Sequence, residues 1–287
     1  QVLYLYKRGE LLMNQRKSLK ELNLLDKFLF DEAMDDPENV KTMLDIILSQ
    51  NTNLKHPPQT EKEQRTSTDN RQIRLDVYAI DEDDVIYEVE AQKENTHNLP
   101  KRSRLYQGII DSKLLPPGVV DFNLLNEVLI VLIMPFDLFG YGLYRYTFQM
   151  RCEEVPELKL DDGATRIFLN TRGIHPELVS PELIELLKYM ERSTDEVSRA
   201  CGSKRIQEMH RRICQIKASE KTEVKYMQSW EEKILIKQEG IAEGERIALE
   251  RINRLNQKLI EQGRFDDLTK AVSDSVYQKK LLKEFKI

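Results

Sequence analysis

The chain of 287 residues is predicted to have a mixed α/β fold followed by an entirely helical region. Two neighbouring segments, residues 71–80 and 85–92, alternate apolar and polar side chains with the period of two that is typical of β-strands. A helix candidate, residues 101–114, leads from them to an apolar, β-rich run at residues 127–134. Because a strand, a helix and a strand in succession form a right-handed parallel crossover, we expect a sheet with both antiparallel and parallel strands.

Two helices and a loop are expected before this hairpin. Apolar residues recur at helical intervals between residues 25 and 48, and Asp35-Asp36-Pro37 interrupts them, which predicts that one helix ends there and another begins. Residues 51–70 show no period and contain two adjacent prolines, so a long loop is expected.

The second half of the chain is expected to be helical after two further strands, at residues 143–152 and 166–170. Ser180 and Pro181 mark a helix start, because Ser caps helix N-termini and Pro is tolerated in the first turn. Between residues 204 and 262 apolar side chains keep a spacing of three and four residues. This spacing predicts long amphipathic helices and a possible short coiled coil.

These elements divide the chain into four segments. We expect an N-terminal extension at residues 1–19, an α/β domain at 20–175, a helical region at 180–262 and a small terminal helical pair at 263–287. Because the chain opens with Gln1 and Met13 precedes the first helix, residues 1–12 are either native or added sequence, and the fold prediction leaves them out. A repeat with two glycines at residues 239–245 is expected to be a weak point, since each glycine costs about 1 kcal/mol in a helix.

The composition excludes several classes of protein. Hydrophobic residues make up 40% and charged residues 32% of the chain, and with 11 Gly and 10 Pro this excludes collagen-like and low-complexity classes. The net charge of −5 does not attract phosphates, so a nucleic acid would have to be met by a local basic patch. The longest apolar run, residues 128–134, is far shorter than the ~20 residues of a membrane span, so no membrane partner is expected.

The cysteines and histidines show no spacing typical of a disulfide framework or a metal site. Cys152, Cys201 and Cys214 form neither CxxC nor CxxH patterns, and the four histidines share no spacing. No apolar segment at the N-terminus resembles a signal peptide. We therefore expect a protein of the reducing cytoplasm, without disulfides or structural zinc.

Polar residues of the predicted hairpin form the candidate site. If the acidic residues 82–84 form the turn, the apolar faces of the two strands match and Asp76 falls directly across from Glu90. Strand alternation places Glu88 and Gln92 on the same face as Glu90. The register therefore predicts two carboxylates side by side, with an amide next to them.

Two adjacent carboxylates favour a bound cation. Like charges at opposing sheet positions repel, and a buried carboxylate pair is costly unless a cation neutralises it. Mg²⁺, or Mn²⁺ in its place, takes oxygen ligands and promotes phosphodiester hydrolysis. The alternative that the spacing leaves open is an exposed hairpin face without function, neutralised by Arg74 or Lys93.

Four short segments carry a family resemblance. They are Leu25-Asp26-Lys27-Phe28-Leu29-Phe30, Arg74-Leu75-Asp76-Val77-Tyr78-Ala79, Tyr87-Glu88-Val89-Glu90-Ala91-Gln92 and Lys101-Arg102-Ser103-Arg104-Leu105-Tyr106. These segments resemble the Rpn family of recombination-promoting nucleases and transposase-like proteins, which belongs to the PD-(D/E)XK superfamily. The resemblance runs from about residue 20 to about residue 170. It implies a restriction-endonuclease-like core at residues 20–175 and a metal-dependent DNA endonuclease linked to recombination or transposition.

The resemblance also implies a role for each residue of the site. Asp76 and Glu90 would be metal ligands, and Gln92 would position the attacking water where the superfamily more often has a lysine. Gln is usual at this position in the Rpn family, but an amide offers only neutral hydrogen bonds, so a lower rate is expected. An additional acid is expected from the first helix, with Glu32 preferred over Asp26 because Asp26 serves equally well as a helix cap.

DNA and a second copy of the chain are the expected partners. Arg102 and Arg104 would meet phosphate and Tyr106 would stack on a base, although an ordinary solvated helix face explains these residues equally well. The apolar stripe within residues 204–262 would form a homodimer seam or pack on its own domain. Two other functions stay open: a catalytically inactive DNA-binding or scaffolding protein that retains the nuclease fold, and a transposase with strand-transfer activity.

Overall fold

A mixed sheet of six described strands belongs to the larger of two units in this chain. The computed structural model describes residues 17–64 and 73–287. Lys17–Glu223 form the larger unit, and Val224–Ile287 belong to the smaller one. The expected N-terminal extension, residues 1–19, lies almost wholly outside the described residues. The sheet and the helices that follow it confirm the mixed α/β class with a helical C-terminal region.

The sheet combines antiparallel and parallel strands, as the sequence predicts. Its described strands are β1 (Gln59–Gln64), β2 (Ile73–Ile80), β3 (Ile86–Ala91), β4 (Val128–Met134), β5 (Arg145–Phe148) and β6 (Ala164–Asn170). They lie in the order β1-β2-β3-β4-β6-β5. Strand β4 is parallel to β3 and to β6, and the other neighbours pair antiparallel. The predicted parallel connection from β3 to β4 is therefore confirmed.

Strand β1 corrects one expectation from the sequence. A loop is predicted for residues 51–70, but Gln59–Gln64 pair with β2, where Lys62 lies opposite Leu75. Among the described strands β1 is at the edge of the sheet. A polar edge strand buries little on either face and shows no apolar period, so its sequence resembles that of a loop. Residues 65–70 lie outside the described part of the chain.

Two helices of the larger unit begin at the starts that the sequence predicts, Pro37 and Pro181, and the helix predicted from residue 101 begins at Leu99. The described helices of this unit are α1 (Lys27–Met34), α2 (Pro37–Leu48), α3 (Leu99–Asp111), α4 (Pro181–Glu191), α5 (Asp195–Ala200) and α6 (Lys204–Ala218), with short 3₁₀ segments at Leu19–Glu21, Phe122–Leu124 and Pro176–Leu178. Pro37 opens α2, and the carboxylate of Asp36 caps it by accepting a hydrogen bond from the Glu38 amide at 3.0 Å. The predicted break between α1 and α2 is confirmed.

Helix α3 covers the face of the sheet that carries the candidate site. Ile130 and Leu132 of β4 pack in one apolar cluster with residues of α3 that include Tyr106. In the parallel register Ile130 lies beside Glu88 of β3, and Leu132 lies beside Glu90. The acids of β3 therefore share the buried face that this helix covers.

Three described helices give the smaller unit a core of its own. They are α7 (Glu220–Glu261), whose first turn still belongs to the larger unit, α8 (Phe265–Ser273) and α9 (Ser275–Glu284). Leu255 and Leu259 of α7 are buried together with Ala271 of α8 and Leu281 of α9. A helical pair thus closes the chain, as the sequence predicts.

Helix α7 is unbroken through the glycine repeat. Residues 239–245 are helical throughout, and every residue from 239 to 251 is exposed. The boundary between the two units falls at Val224, inside the segment 180–262 that the sequence assigns to one helical region. None of the described helices combines the length and the apolar composition that a membrane crossing requires.

Candidate functional site

Asp76 of β2 and Glu90 of β3 lie across from each other on adjacent strands. The antiparallel register pairs Val77 with Val89. One position further from the turn, the same register places Asp76 opposite Glu90. The two acids are only 6% and 8% exposed. The register predicted from the sequence is confirmed, and the burial is not that of the solvated hairpin face in the alternative interpretation.

Glu88 adds a third carboxylate to the same face of β3. It is fully buried, and among the described residues neither of its carboxylate oxygens has a hydrogen-bond partner. The Oε2 atom of Glu90 is also buried without such a partner. Because buried polar atoms in folded proteins are nearly always hydrogen-bonded, these oxygens indicate a site that a cation or a proton must complete.

Burial and mutual repulsion change the protonation of two of these acids. Burial raises the pKa of Glu88 well above its usual value, and the charges of Glu90 and Asp76 raise it further. Burial also raises the pKa of Glu90 to about 7, although the guanidinium of Arg102 acts in the opposite direction. At neutral pH the pair therefore holds a proton that a metal ion would displace.

Lys27 of α1 brings a positive charge to the site that the sequence did not predict. Its ammonium contacts Oδ1 of Asp76 and lies 3.2 Å from Oδ2 of Asp31. Burial lowers the pKa of Lys27, but the charges of Asp76 and Asp31 outweigh it, so the pKa is raised. Lys27 and Asp31 are four residues apart on one helix face, a signal that the sequence offers. Nothing in the sequence links that pair to Asp76.

Arg102 of α3 joins two of the predicted site residues. Its Nη2 atom donates to Oε1 of Glu90 and, at 2.6 Å, to the side-chain oxygen of Gln92. The side-chain nitrogen of Gln92, Nε2, donates to the backbone oxygen of Glu94 at 2.5 Å. Both ends of the Gln92 amide are therefore held, and its orientation beside Glu90 is fixed.

The other residues predicted to bind DNA differ in their surroundings. Arg104 of α3 is exposed. Tyr106 is 8% exposed and packs in the apolar cluster under α3, with the guanidinium of Arg102 5.7 Å from its ring centroid. Arg102 itself is engaged with Glu90 rather than free for phosphate. A role of these three residues in DNA binding stays a prediction.

The two acids considered for α1 have separate places. Asp26 occupies the N-cap position of α1 without a capping hydrogen bond from its side chain; its carboxylate instead accepts a hydrogen bond from the Asn23 amide at 2.9 Å and forms an ion pair with Lys93. Glu32 is half-buried on α1. The residue of this helix that shares a lysine with Asp76 is Asp31, one position earlier. The role of Glu32 as an additional acid stays a prediction.

The donor atoms of this site fit a hard divalent cation. Mg²⁺ and Mn²⁺ prefer oxygen ligands, and Asp76 and Glu90 present neighbouring carboxylates on one buried face. Glu90 has an oxygen without a partner among the described residues, while its other oxygen is held by Arg102. Asp76 and Glu90 are therefore the residues that would hold such an ion.

No relative identifies this site. Comparisons with models of protein families, with curated proteins and with solved structures find no match to the chain. The buried acids, the two cations that contact them and the oriented amide are therefore the observations from which function is inferred.

Proposed function

We propose that this chain is a metal-dependent DNA endonuclease of the PD-(D/E)XK type, similar to the Rpn family, that hydrolyses phosphodiester bonds. The observation that carries the proposal is the buried pair of Asp76 and Glu90, side by side on two strands, with one oxygen of Glu90 left without a partner among the described residues. Such a pair lowers stability on its own, and groups with strongly raised pKa values concentrate at functional sites.

Each residue of the site then has a part in hydrolysis. A divalent cation, when bound, polarises the phosphoryl oxygen and makes water more acidic. Asp76 and Glu90 would hold it through their carboxylates. Arg102 fixes the amide of Gln92 beside Glu90, which leaves that amide oriented to hydrogen-bond a water molecule.

Lys27 supplies a positive charge that Gln92 lacks. In the superfamily pattern a lysine at the position of Gln92 orients the attacking water with its charge. Here the ammonium of Lys27 reaches Asp76 from a different element, helix α1. It is placed to offset the negative charge that gathers when substrate phosphate approaches the carboxylates.

DNA as the substrate is supported by exposed basic side chains near the site. Lys101 and Arg104 lie exposed on α3, the helix whose Arg102 contacts Glu90. A local patch of this kind is what a chain with a net charge of −5 needs in order to meet phosphates.

A catalytically inactive DNA-binding or scaffolding protein is the second candidate. The ion pairs of Lys27 with Asp76 and of Arg102 with Glu90 favour it, because they neutralise two acids without any metal. An amide at Gln92 in place of lysine favours it as well. In this case the fold would be retained and the chemistry lost.

A homodimer formed through the C-terminal helices is part of the proposal. Helix α7 carries the apolar stripe of Ile241, Ile252 and Leu255, and Ile241 of this stripe is exposed. Exposed apolar side chains along a helix are typical of a surface that binds another chain. A dimer would bring two cleavage sites to the two strands of DNA.

Plasmid cleavage by the purified protein in Mg²⁺ or Mn²⁺ tests the proposal. Asp76→Asn keeps the shape of the side chain and removes the charge that a metal requires. Asp83→Asn changes an exposed residue of the hairpin turn in the same way and serves as the matched control. Thermal unfolding of both variants shows whether each one folds.

The outcomes separate the candidates. Nicking by the native protein and by Asp83→Asn, together with its loss in folded Asp76→Asn, supports the endonuclease. DNA binding without cleavage in either metal favours the inactive protein. Joined-strand products in the same assay favour a transposase over simple hydrolysis.

A further inference from the structure

Three side chains of different chemistry meet between helices α5 and α6. Asp195 is the first residue of α5, and His210 and Cys214 are one turn apart on α6. Their ligand atoms all lie within 4.8 Å of one another. The sequence does not predict this group, because Asp195 is far from the other two and the spacing of the cysteines alone indicates no metal site.

The orientation of His210 determines what this group is suited for. Its Nε2 atom lies 2.8 Å from Oδ1 of Asp195 and 3.4 Å from Sγ of Cys214, and that sulfur is 4.0 Å from Nδ1, so both partners are nearest to the same ring nitrogen. In a catalytic triad the histidine uses one nitrogen for the nucleophile and the other for the acid. Here the carboxylate and the sulfur are both nearest to Nε2, so a nitrogen, an oxygen and a sulfur are grouped as the ligands of a metal ion are.

The second ring nitrogen of His210 has the partner that a metal ligand needs. Nδ1 lies 2.8 Å from the hydroxyl oxygen of Tyr189, a fully buried residue of α4. An Nδ1–H group that donates to this oxygen would leave Nε2 free of a proton. Histidines that bind metals almost always donate their other N–H group to a carboxylate, a backbone carbonyl or water, which fixes the ring and its tautomer, and here the hydroxyl oxygen of Tyr189 takes that place.

We propose that Asp195, His210 and Cys214 form a zinc-binding site that is separate from the carboxylates of β2 and β3. A tetrahedral zinc ion with metal–ligand distances of 2.0–2.3 Å places its ligand atoms about 3.3–3.7 Å apart. The Cys214 sulfur lies 3.4 Å from Nε2 of His210 and 3.9 Å from Oδ1 of Asp195. Two changes bring the three atoms into place around one ion. The 2.8 Å contact between Asp195 and His210 widens, and the Cys214 side chain, whose sulfur is 3.4 Å from Nε2 and 4.0 Å from Nδ1, rotates toward the Nε2 side of the ring.

The donor set selects the ion. One nitrogen, one sulfur and one carboxylate oxygen suit the borderline-soft Zn²⁺, whereas Mg²⁺ requires oxygen ligands. A pocket of about 390 Å³ opens beside the group and is lined by Ser193, Thr194 and Lys217 among others. It leaves room for water or an anion as the fourth ligand. The bound ion would tie α5, a helix of six residues, to α6.

Full-length protein titrated with Co²⁺, a spectroscopic substitute for Zn²⁺, tests this site directly. The site predicts one equivalent with sulfur-to-cobalt charge-transfer absorption, which Zn²⁺ then abolishes by displacement. Cys214→Ser should lose that absorption, and Cys152→Ser, the same change at a cysteine outside the group, should keep it. Cobalt bound by the carboxylates of β2 and β3 gives no sulfur band, so the two sites are distinguished.

Two variants with smaller changes test zinc binding in protein that still folds. The side chain of Asp195 is 72% exposed, so Asp195→Asn should fold normally and bind Zn²⁺ at least about tenfold more weakly. Tyr189→Phe removes only the hydroxyl group and should weaken zinc binding by about 10–100-fold. Absence of a sulfur band in the native protein, or unchanged zinc affinity in folded Asp195→Asn, would overturn the proposal. The group would then be a hydrogen-bonded chain in which Nε2–H donates to Asp195.

Discussion

Lys27 forms an ion pair with Asp76 across 49 positions of the chain, and this pair joins the start of α1 to the middle of β2. The side chain of Asp76 is 8% exposed, whereas that of Lys27 is 40% exposed. The pair therefore lies between an exposed ion pair, which contributes about 0–1 kcal/mol, and a buried one, whose disruption costs about 3–5 kcal/mol.

Replacing Lys27 should lower stability in the absence of metal. We expect Lys27→Met to reduce the free energy of unfolding by about 1–3 kcal/mol in a chelating buffer, as measured by urea denaturation. Mg²⁺ should restore part of this loss, because a cation that binds the folded state alone stabilises it. Lys113→Met, at an exposed residue after α3, is the control. Equal stability of the two variants would contradict the prediction.

Glu88 should destabilise the protein at neutral and alkaline pH. Because burial raises its pKa, the folded protein keeps the proton while the unfolded chain releases it above a pH of about 4.3. Stability is therefore lost as the pH rises from there toward the pKa of the folded state. Below a pH of about 4.3 Glu88 is protonated in both the folded and the unfolded state, so its ionisation does not change the free energy of unfolding.

The substitution Glu88→Gln should remove this loss. We expect it to raise the free energy of unfolding by more than about 1 kcal/mol near pH 8, since one pKa unit corresponds to about 1.4 kcal/mol. The gain should shrink toward zero as the pH falls to about 4. Denaturation curves at several pH values measure it, with Glu153→Gln at an exposed position as the control. A gain independent of pH would show that ionisation of Glu88 is not its cause.

The register of the site could be predicted from the sequence, but its counter-ions could not. Alternating apolar residues and an acidic turn suffice to place Asp76 across from Glu90, because a slip by one residue would turn every apolar side chain outward. Lys27 and Arg102 reach these acids from helices α1 and α3. Helix packing decides such contacts, and no local pattern in the chain records it.

Elements that bury little were the hardest to predict. Strand β1 is polar and lies at the edge among the described strands, so its pairing with β2 leaves no period in the sequence. The group of Asp195, His210 and Cys214 could not be predicted for a different reason, which is that it depends on helix packing. His210 and Cys214 show the spacing of neighbours on a helix, but Asp195 joins them only through the packing of α5 on α6.

Binding of Mn²⁺ at the carboxylates of β2 and β3 should depend on pH. The pKa of Glu90 is raised to about 7 chiefly by burial, so below that pH an ion must displace its proton. We expect the affinity for Mn²⁺ to fall about tenfold for each pH unit below about 7 and to level off above it. Calorimetry of Asp195→Asn isolates these carboxylates from the second cluster. An affinity that stays constant between about pH 6 and about pH 8 would contradict a role of Glu90 as ligand.

Dimer formation through α7 should depend on one side of the helix. Ile241 belongs to the stripe that continues to Leu255 and Leu259, both of which are buried in the core of their own unit. Ile247 is also exposed, but at about 100° per residue it points roughly 120° away from Ile241. The two isoleucines therefore form a matched pair within one helix.

A charge at Ile241 should separate the dimer, whereas the same charge at Ile247 should not. We expect Ile241→Asp to raise the dissociation constant at least about tenfold, since burying an unpaired carboxylate in an apolar seam costs well over the 1.4 kcal/mol that corresponds to a factor of ten. Light scattering over a dilution series of the full-length chain measures the mass of each variant. Equal masses for both variants and the native protein would show that the stripe at Ile241 is not the seam.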